Sequence, residues 1–344
     1  MRPPAIIYME WNDILIIAIV ATLVLAAAII FALAFYADRL VFGRRQNRNV
    51  NLKYFTAEDF NLKYKMLNAS FDGAKLFAAV YCKTQIKDCQ KAVIFCHGMG
   101  AGHAAYMTEI AKLAESGYAV VAYDSIGCGQ SEGKNAVGFY ANVQCAIAAY
   151  IAVKRDEQLK DKPVFLAGHS WGAYAALCAT KYVAVDGVVA LSGFNTPVRI
   201  MADSSAKVMG GFLAALCKPF WYLINFFRFG FRGNSNASKC IEKSGVPAFL
   251  AYGTKDNTIE AKNTPENTAK GVNIQNIIYE GKGHNVYLSD SAQKLTNELL
   301  DALSPSHFSS VEARKKYFEN FDFVAATRED EDVMRQITFF IDSH

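Results

Sequence analysis

The sequence lacks most of the patterns that mark a metal site or a nucleic-acid interface. Its eight cysteines include no C-x-x-C pair, and no His/Cys cluster has the spacing of metal ligands. The net charge of +4 is small for 344 residues, and neither a basic helix nor an RNA-type aromatic signature is present. Internal repeats and low-complexity tracts are missing too. These absences predict a protein with no metal, no cofactor and no nucleic-acid partner.

What remains is an apolar composition and a length that suits one large domain. Hydrophobic residues make up 52% of the chain, which is enough for one α/β domain with additions. Several cysteines, such as Cys96 and Cys178, stand within apolar runs. Buried free thiols are typical of a reducing compartment, so we expect the domain to lie in one.

One long uncharged stretch lies near the N-terminus. Residues 14–36 contain no charge in 23 positions, and Thr22 is their only clearly polar member. As a helix this stretch would extend about 35 Å, which exceeds the ~30 Å hydrocarbon core of a bilayer. A signal-peptide core is normally shorter and follows a more basic start, and a buried core helix would carry some polar face. The sequence therefore predicts a transmembrane helix after a short tail over residues 1–13.

The charges on either side of this helix predict its orientation. Five basic residues follow it, namely Arg39, Arg44, Arg45, Arg48 and Lys53. Only Arg2 precedes it, with Glu10 and Asp13 nearer the helix. The positive-inside rule then places the C-terminal side in the cytoplasm. We expect residues 37–60 to form a basic tether to a cytoplasmic domain over residues 61–344.

Short apolar strands alternate with helices along that domain. A hairpin is predicted over residues 63–82, and further strands over residues 91–96, 118–123, 163–167, 186–192, 247–252 and 274–279. This alternation predicts an α/β fold, with a mostly parallel sheet covered by helices on both faces. Active sites of such sheets lie at the carboxyl ends of the strands.

The pentapeptide Gly168-His169-Ser170-Trp171-Gly172 is the strongest candidate for a nucleophile. It directly follows a predicted buried strand and precedes a predicted helix, which is the context of the G-x-S-x-G nucleophile elbow. A second match surrounds Ser131, over residues 129–133, but it stands in a polar, glycine-rich loop some residues beyond its strand. The context therefore favours Ser170 over Ser131.

A serine nucleophile needs a base, and the base needs an orienting acid. His284 is the one histidine that follows a late strand, in a Gly-Lys-Gly-His turn. Asp256 follows the strand before it and also suits the N-cap of a next helix, while Glu260 and Glu266 are rival carboxylates. The order Ser170, Asp256, His284 is the order of the triad in α/β-hydrolases.

Two backbone N–H groups are the predicted oxyanion donors. The first belongs to Trp171, which follows the nucleophile at the start of a helix. The second belongs to Met99 in His97-Gly98-Met99-Gly100, where the glycines let the backbone turn toward the serine. The side chain of Trp171 is expected either to line the pocket or to pack in the core.

Together these motifs resemble the α/β-hydrolase superfamily, and within it the serine aminopeptidase S33 and monoacylglycerol-lipase-like group. The matching motifs are H-G-M-G at 97–100, D-S-I-G-C-G-Q-S-E-G at 124–133, G-H-S-W-G at 168–172, G-T-K-D at 253–256 and G-H-N at 283–285. The resemblance implies an α/β-hydrolase fold with a helical cap inserted at about residues 196–245. It also implies a serine hydrolase that works through a Ser-His-Asp triad.

The charge of the cap favours one class of substrate. The cap holds two acidic residues, Asp203 and Glu242, and seven basic ones, namely Arg199, Lys207, Lys218, Arg228, Arg232, Lys239 and Lys243. An aminopeptidase needs carboxylates for a cationic N-terminus, whereas a basic, aromatic cap suits an acyl chain or an anionic headgroup. We therefore expect a lipid or small-molecule ester as substrate. An S33-like peptidase, a thioesterase and a non-catalytic membrane-tethered scaffold remain alternatives.

The cap also contains one long apolar segment over residues 212–229. Lys218, Pro219 and Arg228 argue against a second membrane span there. Proline interrupts helices, so the segment is predicted to form two short amphipathic helices that break at Pro219. Their apolar faces are expected to pack on the domain, to line an acyl pocket or to touch the bilayer.

Overall fold

An eight-stranded, mostly parallel sheet forms the centre of the protein. The structure is a computed structural model that describes residues 11–344, apart from the side chain of Pro305. The strands are β1 (Lys63–Met66), β2 (Ala69–Phe71), β3 (Ala74–Leu76), β4 (Ala78–Cys82), β5 (Ala92–Cys96), β6 (Ala119–Tyr123), β7 (Val164–His169), β8 (Gly187–Leu191), β9 (Ala248–Gly253) and β10 (Ile274–Tyr279). The large sheet has the order β1-β4-β6-β5-β7-β8-β9-β10, and β2 and β3 form a separate hairpin. Only β1 and β4 pair antiparallel to their neighbours in the large sheet.

Helices cover both faces of this sheet. They are α1 (Trp11–Phe42), α2 (Met107–Glu115), α3 (Phe139–Arg155), α4 (Trp171–Ala179), α5 (Pro197–Met209), α6 (Gly211–Phe229), α7 (Ala237–Ser244), α8 (Asp290–Ala302), α9 (Val311–Asn320), α10 (Phe323–Ala326) and α11 (Glu331–Ser343). Side chains alternate between two cores because successive strand residues point to opposite faces. Ile94 packs in the core with α3 and α4, whereas Val93 packs in the core with α2 and α11. The predicted α/β fold class is confirmed.

The helix α1 is longer than the predicted membrane span and enters the domain. It is long and apolar enough to cross a membrane, and it continues beyond residue 36 as far as Phe42. Three positions of its last turns, Ala34, Asp38 and Phe42, are at most 3% exposed. The ring of Phe42 lies against the rings of Phe139 and Trp171, with centroids 4.7 and 6.4 Å apart. Residues 1–10, with Arg2 and Glu10, lie outside the described residues.

The residues expected to form a tether instead contact the domain. The Arg45 guanidinium donates to the carbonyl oxygens of Gly129 and Ser131, at 2.9 Å each. The N–H of Gln46 donates to the Gly127 carbonyl oxygen at 2.9 Å. Arg45 and Gln46 therefore satisfy carbonyl groups of a glycine-rich loop, and the charge of Arg45 holds a docked segment.

The break in the cap lies at Gly210 and not at Pro219, so the prediction of its position was wrong. α6 is 19 residues long and continues through Pro219. Gly210, with φ of 84°, separates it from α5. An interior proline removes one intrahelical hydrogen bond, which the packing of α6 on α1 and α5 outweighs. Gly210 adopts a backbone conformation that L side chains rarely adopt, and α5 ends there.

The contact between α1 and the domain can be tested by stability. We expect Phe42→Ala to lower the free energy of unfolding by about 3 kcal/mol, because it opens a cavity beside Phe139 and Trp171. Thermal unfolding of the full-length protein in detergent measures this effect. The matched control is Leu40→Ala, since Leu40 is 57% exposed and its truncation should cost less than about 0.5 kcal/mol. Equal effects of the two substitutions would contradict packing of this end of α1 on the domain.

Candidate active site

Ser170 stands at a sharp turn between β7 and α4. Its backbone has φ of 57° and ψ of −115°, a conformation that non-glycine residues rarely adopt. The N–H of Ser170 donates to the Leu191 carbonyl oxygen at 2.8 Å, which fixes the turn to the neighbouring strand β8. The strained turn presents the serine at the carboxyl edge of the sheet, as a nucleophile elbow requires.

The two glycines of the pentapeptide are needed because backbone passes close to both. A Cβ atom on Gly172 would lie 1.8 Å from the carbonyl oxygen of Cys96, and one on Gly168 would lie 2.5 Å from the carbonyl carbon of Gly172. Side chains at either position would force α4 away from β5 and β7. The sequence G-x-S-x-G is therefore a packing requirement at this turn.

His284 and Asp256 form a hydrogen-bonded pair at the ends of β10 and β9. His284 Nδ1 lies 2.8 Å from Asp256 Oδ2, and the Asp256 side chain is fully buried. The other oxygen of Asp256 accepts from the N–H groups of Thr258 and Ile259 at 2.7 and 2.9 Å. Asp256 thus caps the following turn and contacts His284 at the same time. A carboxylate at Nδ1 fixes the ring so that Nε2 is the nitrogen left for chemistry.

Ser170 and His284 line one cavity of 630 Å³, together with Met99 and Asn257. Each of these residues follows a different strand of the sheet, and the side of the cavity opposite them is formed by α8. Within the described residues, the Ser170 hydroxyl makes no hydrogen bond to His284. Such contacts are often long in an enzyme without substrate and tighten when substrate binds.

The two predicted oxyanion donors have different side-chain environments. Met99 is 38% exposed and lines the cavity. The Trp171 side chain is 1% exposed, and its Nε1–H donates to the Phe139 carbonyl oxygen at 2.7 Å, so the ring belongs to the core. The backbone N–H of Trp171 is the first of α4, where N–H groups have no intrahelical partner.

Ser131, the serine of the second G-x-S-x-G match, has a structural environment. It is 2% exposed, its hydroxyl donates to the Asp124 carbonyl oxygen at 2.6 Å and accepts from the Phe77 N–H at 2.8 Å. His103 is the nearest base by sequence, but its Nδ1 pairs with the Asp124 carboxylate at 2.8 Å. These contacts tie the loop to the sheet, and they leave Ser131 without a free hydroxyl.

Neither rival carboxylate makes the contact to His284. Glu260 is exposed and pairs with Lys262. Glu266 is 4% exposed, and both of its carboxylate oxygens lack hydrogen-bond partners among the described residues. Burial, with a smaller effect from the charge of Asp256, raises the pKa of Glu266 to about 8.

The sequence did not indicate that the His169 side chain connects two loops of the site. His169 Nε2 lies 3.1 Å from the carbonyl oxygen of His284, so that nitrogen carries the proton. Its Nδ1 then accepts from the Tyr106 hydroxyl at 3.0 Å, and the Tyr106 oxygen accepts from the Gly98 N–H at 3.1 Å. Burial holds the pKa of His169 well below its usual value, which keeps the ring neutral. This chain joins the loop before Met99 to the loop of His284.

Comparison with known proteins identifies a family model and solved structures that this chain resembles. Residues 87–226 match the family model of the serine aminopeptidase S33 group. A solved structure of an esterase from Pyrococcus furiosus is 21% identical with a TM-score of 0.54, over 76% of this chain and 96% of that one. A ferulic-acid complex of Est1E from Butyrivibrio proteoclasticus is 18% identical with a TM-score of 0.47, over 69% and 97% of the two chains. The comparison with curated protein sequences gives no match.

The chain therefore has the α/β-hydrolase fold, and the predicted resemblance to the S33 group is confirmed over residues 87–226. The family model and the fold together support a hydrolase. Neither the family model nor the fold identifies the substrate, so the substrate must be inferred from the residues of the site.

The buried carboxyl group beside Asp256 makes a pH-dependent prediction. Between about pH 4.5 and 8 the folded protein keeps a proton on Glu266 that the unfolded chain releases, so rising pH favours unfolding over this range. We expect Glu266→Gln to reduce the loss of unfolding free energy between pH 5 and 8, measured by denaturant titration at several pH values. Glu260→Gln, at an exposed position, should keep the wild-type slope. An unchanged slope in Glu266→Gln would contradict the raised pKa.

Proposed function

We propose that the protein is a membrane-anchored serine hydrolase that cleaves carboxylic esters through an acyl-enzyme. The observation that carries the proposal is that His284 lines the same cavity as Ser170 and is paired, at 2.8 Å, with the buried Asp256. A nucleophile at a strained elbow after β7, a buried carboxylate after β9 and a histidine after β10 are the parts of a triad.

In this mechanism the Ser170 hydroxyl attacks the ester carbonyl carbon while His284 Nε2 takes its proton. The oxyanion receives hydrogen bonds from the N–H groups of Met99 and Trp171, each typically worth a few kcal/mol in the transition state. His284 then protonates the leaving alcohol, and the acyl group remains on Ser170. Water, deprotonated by His284, attacks the acyl carbon, and His284 returns the proton to the Ser170 oxygen as its bond to the acyl group breaks. Asp256 holds the ring orientation throughout.

The burial of the last turns of α1 supports a permanent anchor over a cleaved signal sequence. The last turns of α1 are buried in the domain through Ala34, Asp38 and Phe42, so a cleavage that removed α1 would open the core. The rest of the helix is exposed and apolar, as a membrane span is. The eight cysteines are buried and free, which supports a domain on the cytoplasmic side.

Three alternatives differ in chemistry. An S33-like peptidase would cleave aminoacyl arylamides, and a thioesterase would cleave acyl thioesters. A non-catalytic scaffold would cleave no arylamide, no thioester and no ester. The basic cap favours an ester with an acyl chain or an anionic headgroup, so esters and monoacylglycerols belong in the same substrate panel as the other two.

The nucleophile can be tested directly. We expect Ser170→Ala to lower kcat/KM for a short p-nitrophenyl ester by about four orders of magnitude or more, because no other group replaces the attacking oxygen. Ser204→Ala, at an exposed position on α5, is the control and should retain wild-type activity. A fluorophosphonate probe should label Ser170 and leave Ser131 unlabelled. Wild-type hydrolysis by Ser170→Ala would refute the proposed triad.

The orientation can be tested in intact cells. If the domain is cytoplasmic, protease added outside the cells should leave residues 61–344 intact, and permeabilised cells should lose them. Immunodetection of a C-terminal tag follows both conditions. Digestion of the domain before permeabilisation would place it on the opposite side of the membrane.

A further inference from the structure

The cap helix α6 runs parallel to α1, side by side. Along α6, the Cys217 sulfur lies 3.9 Å from the Ile30 carbonyl oxygen, and Trp221 Nε1–H donates to the Ala34 carbonyl oxygen at 2.9 Å. Further along, Arg228 forms an ion pair with Asp38. The contacts advance in the same direction on both helices. The N-terminal end of α6 therefore points toward the N-terminal, membrane-spanning part of α1.

The level of the membrane surface can be placed on this pair of helices. With Trp11 placed at one interface, a rise of about 30 Å brings α1 to the other interface near Phe31, shortly before the end of the predicted span at residue 36. The ring of Phe31 lies against the ring of Phe220 on α6, with centroids 5.9 Å apart. The exposed Lys218 is therefore near the headgroup level. Residues of α6 before Lys218 lie on the membrane side of that level.

Those residues form a corner that suits the interior of a bilayer. The α5–α6 corner, defined as residues 208–217, contains ten uncharged, apolar or glycine residues between Lys207 and Lys218. Val208 is 88% exposed and Phe212 is 81% exposed, on the outside of the helical hairpin. From Lys218 back to Phe212, α6 extends about 9 Å, a depth typical of interfacial helices. Flanking lysines can keep their ammonium groups in the headgroup layer.

We propose that the α5–α6 corner inserts into the leaflet that surrounds α1, so that the lipid bilayer is the partner of this surface. The inference rests on the proposed anchoring by α1. The proposed insertion goes beyond anchoring because it concerns the cap, whose helix α6 packs beside α1. Covering Val208 and Phe212 with lipid removes their exposed apolar area from water.

The corner also adjoins the candidate active site. The Lys207 ammonium, at its edge, donates to the carbonyl oxygen of Asn257, and Asn257 lines the cavity of Ser170. This contact connects the edge of the corner to a loop that lines the cavity. On the proposed insertion, an ester that resides in the leaflet reaches Ser170 from the side of this contact, without first entering bulk water. This deepens the proposed function by assigning a membrane-resident lipid ester as the substrate class.

Insertion can be measured with a fluorescent label at two matched positions. Phe212 and Phe227 are both 81% exposed and lie on the same helix, about 22 Å apart, at opposite ends. Full-length Phe212→Cys and Phe227→Cys are labelled with an environment-sensitive maleimide and reconstituted in phosphatidylcholine vesicles that contain an acyl-chain doxyl quencher. We expect several-fold stronger quenching at position 212 than at 227. A label at Leu25→Cys, within α1, reports anchoring itself.

The outcomes separate the corner from the anchor. Quenching at positions 25 and 212, but weakly at 227, supports the proposal. Quenching at 25 without quenching at 212, or equal quenching at 212 and 227, overturns insertion of the corner and leaves the anchor intact. No quenching at 25 overturns the anchor, and the insertion of the corner with it.

An activity measurement on the same positions tests the substrate class. Phe212→Ser should lower hydrolysis of a long-chain ester dispersed in vesicles by roughly tenfold, because it removes an exposed phenyl group from the proposed lipid contact. Its hydrolysis of water-soluble p-nitrophenyl acetate should stay at the wild-type rate. Phe227→Ser should leave both rates unchanged. Equal rates for all three proteins on the vesicle ester would overturn the assignment of a membrane-resident substrate.

Discussion

The close approach of α4 to β5 is the constraint on which the rest of the site depends. The backbone of Gly172 passes so near the Cys96 carbonyl oxygen that no side chain fits between them. This approach brings the first turn of α4 to the edge of the sheet and sets the strained backbone of Ser170. It also buries the ring of Trp171 against Phe139 and Phe42. One glycine thus links the candidate nucleophile, the proposed oxyanion donor Trp171 and the end of α1.

A second constraint holds the loops around Ser170 at fixed distances. The hydrogen bonds from Gly98 to Tyr106, from Tyr106 to His169 and from His169 to the His284 carbonyl cross the site behind the serine. All of these groups are buried or partly buried, where an unmade hydrogen bond costs about 1–3 kcal/mol. Loss of any member would therefore disturb both the loop of Met99 and the loop of His284. Catalytic geometry in the proposed mechanism depends on residues that do not themselves react.

The sequence predicted the parts of this protein that depend on local patterns. Apolar strands, the turn at Ser170 and the strand ends at Asp256 and His284 follow from short motifs, and the structure brings Asp256 and His284 into contact. The contacts between distant segments could not be predicted in this way. In the sequence, Arg45 looks like a charge in a linker. In the structure, it donates to carbonyl oxygens of the loop over residues 129–133. In the sequence, Pro219 predicts a break in the helix. In the structure, the packing of α1 and α5 along α6 outweighs the one missing hydrogen bond.

The contacts between α1 and the domain also fix the orientation of the domain relative to α1. A helix on a flexible tether would fix only the distance of the domain from the membrane, and the domain could turn freely. Here Asp38 is 3% exposed and paired with Arg228 on the cap, and Phe42 lies against Trp171. An apolar span that continues without interruption into the core fixes orientation as well as distance. A bilayer that holds α1 must then hold the cap and the mouth of the Ser170 cavity at a set angle to its surface.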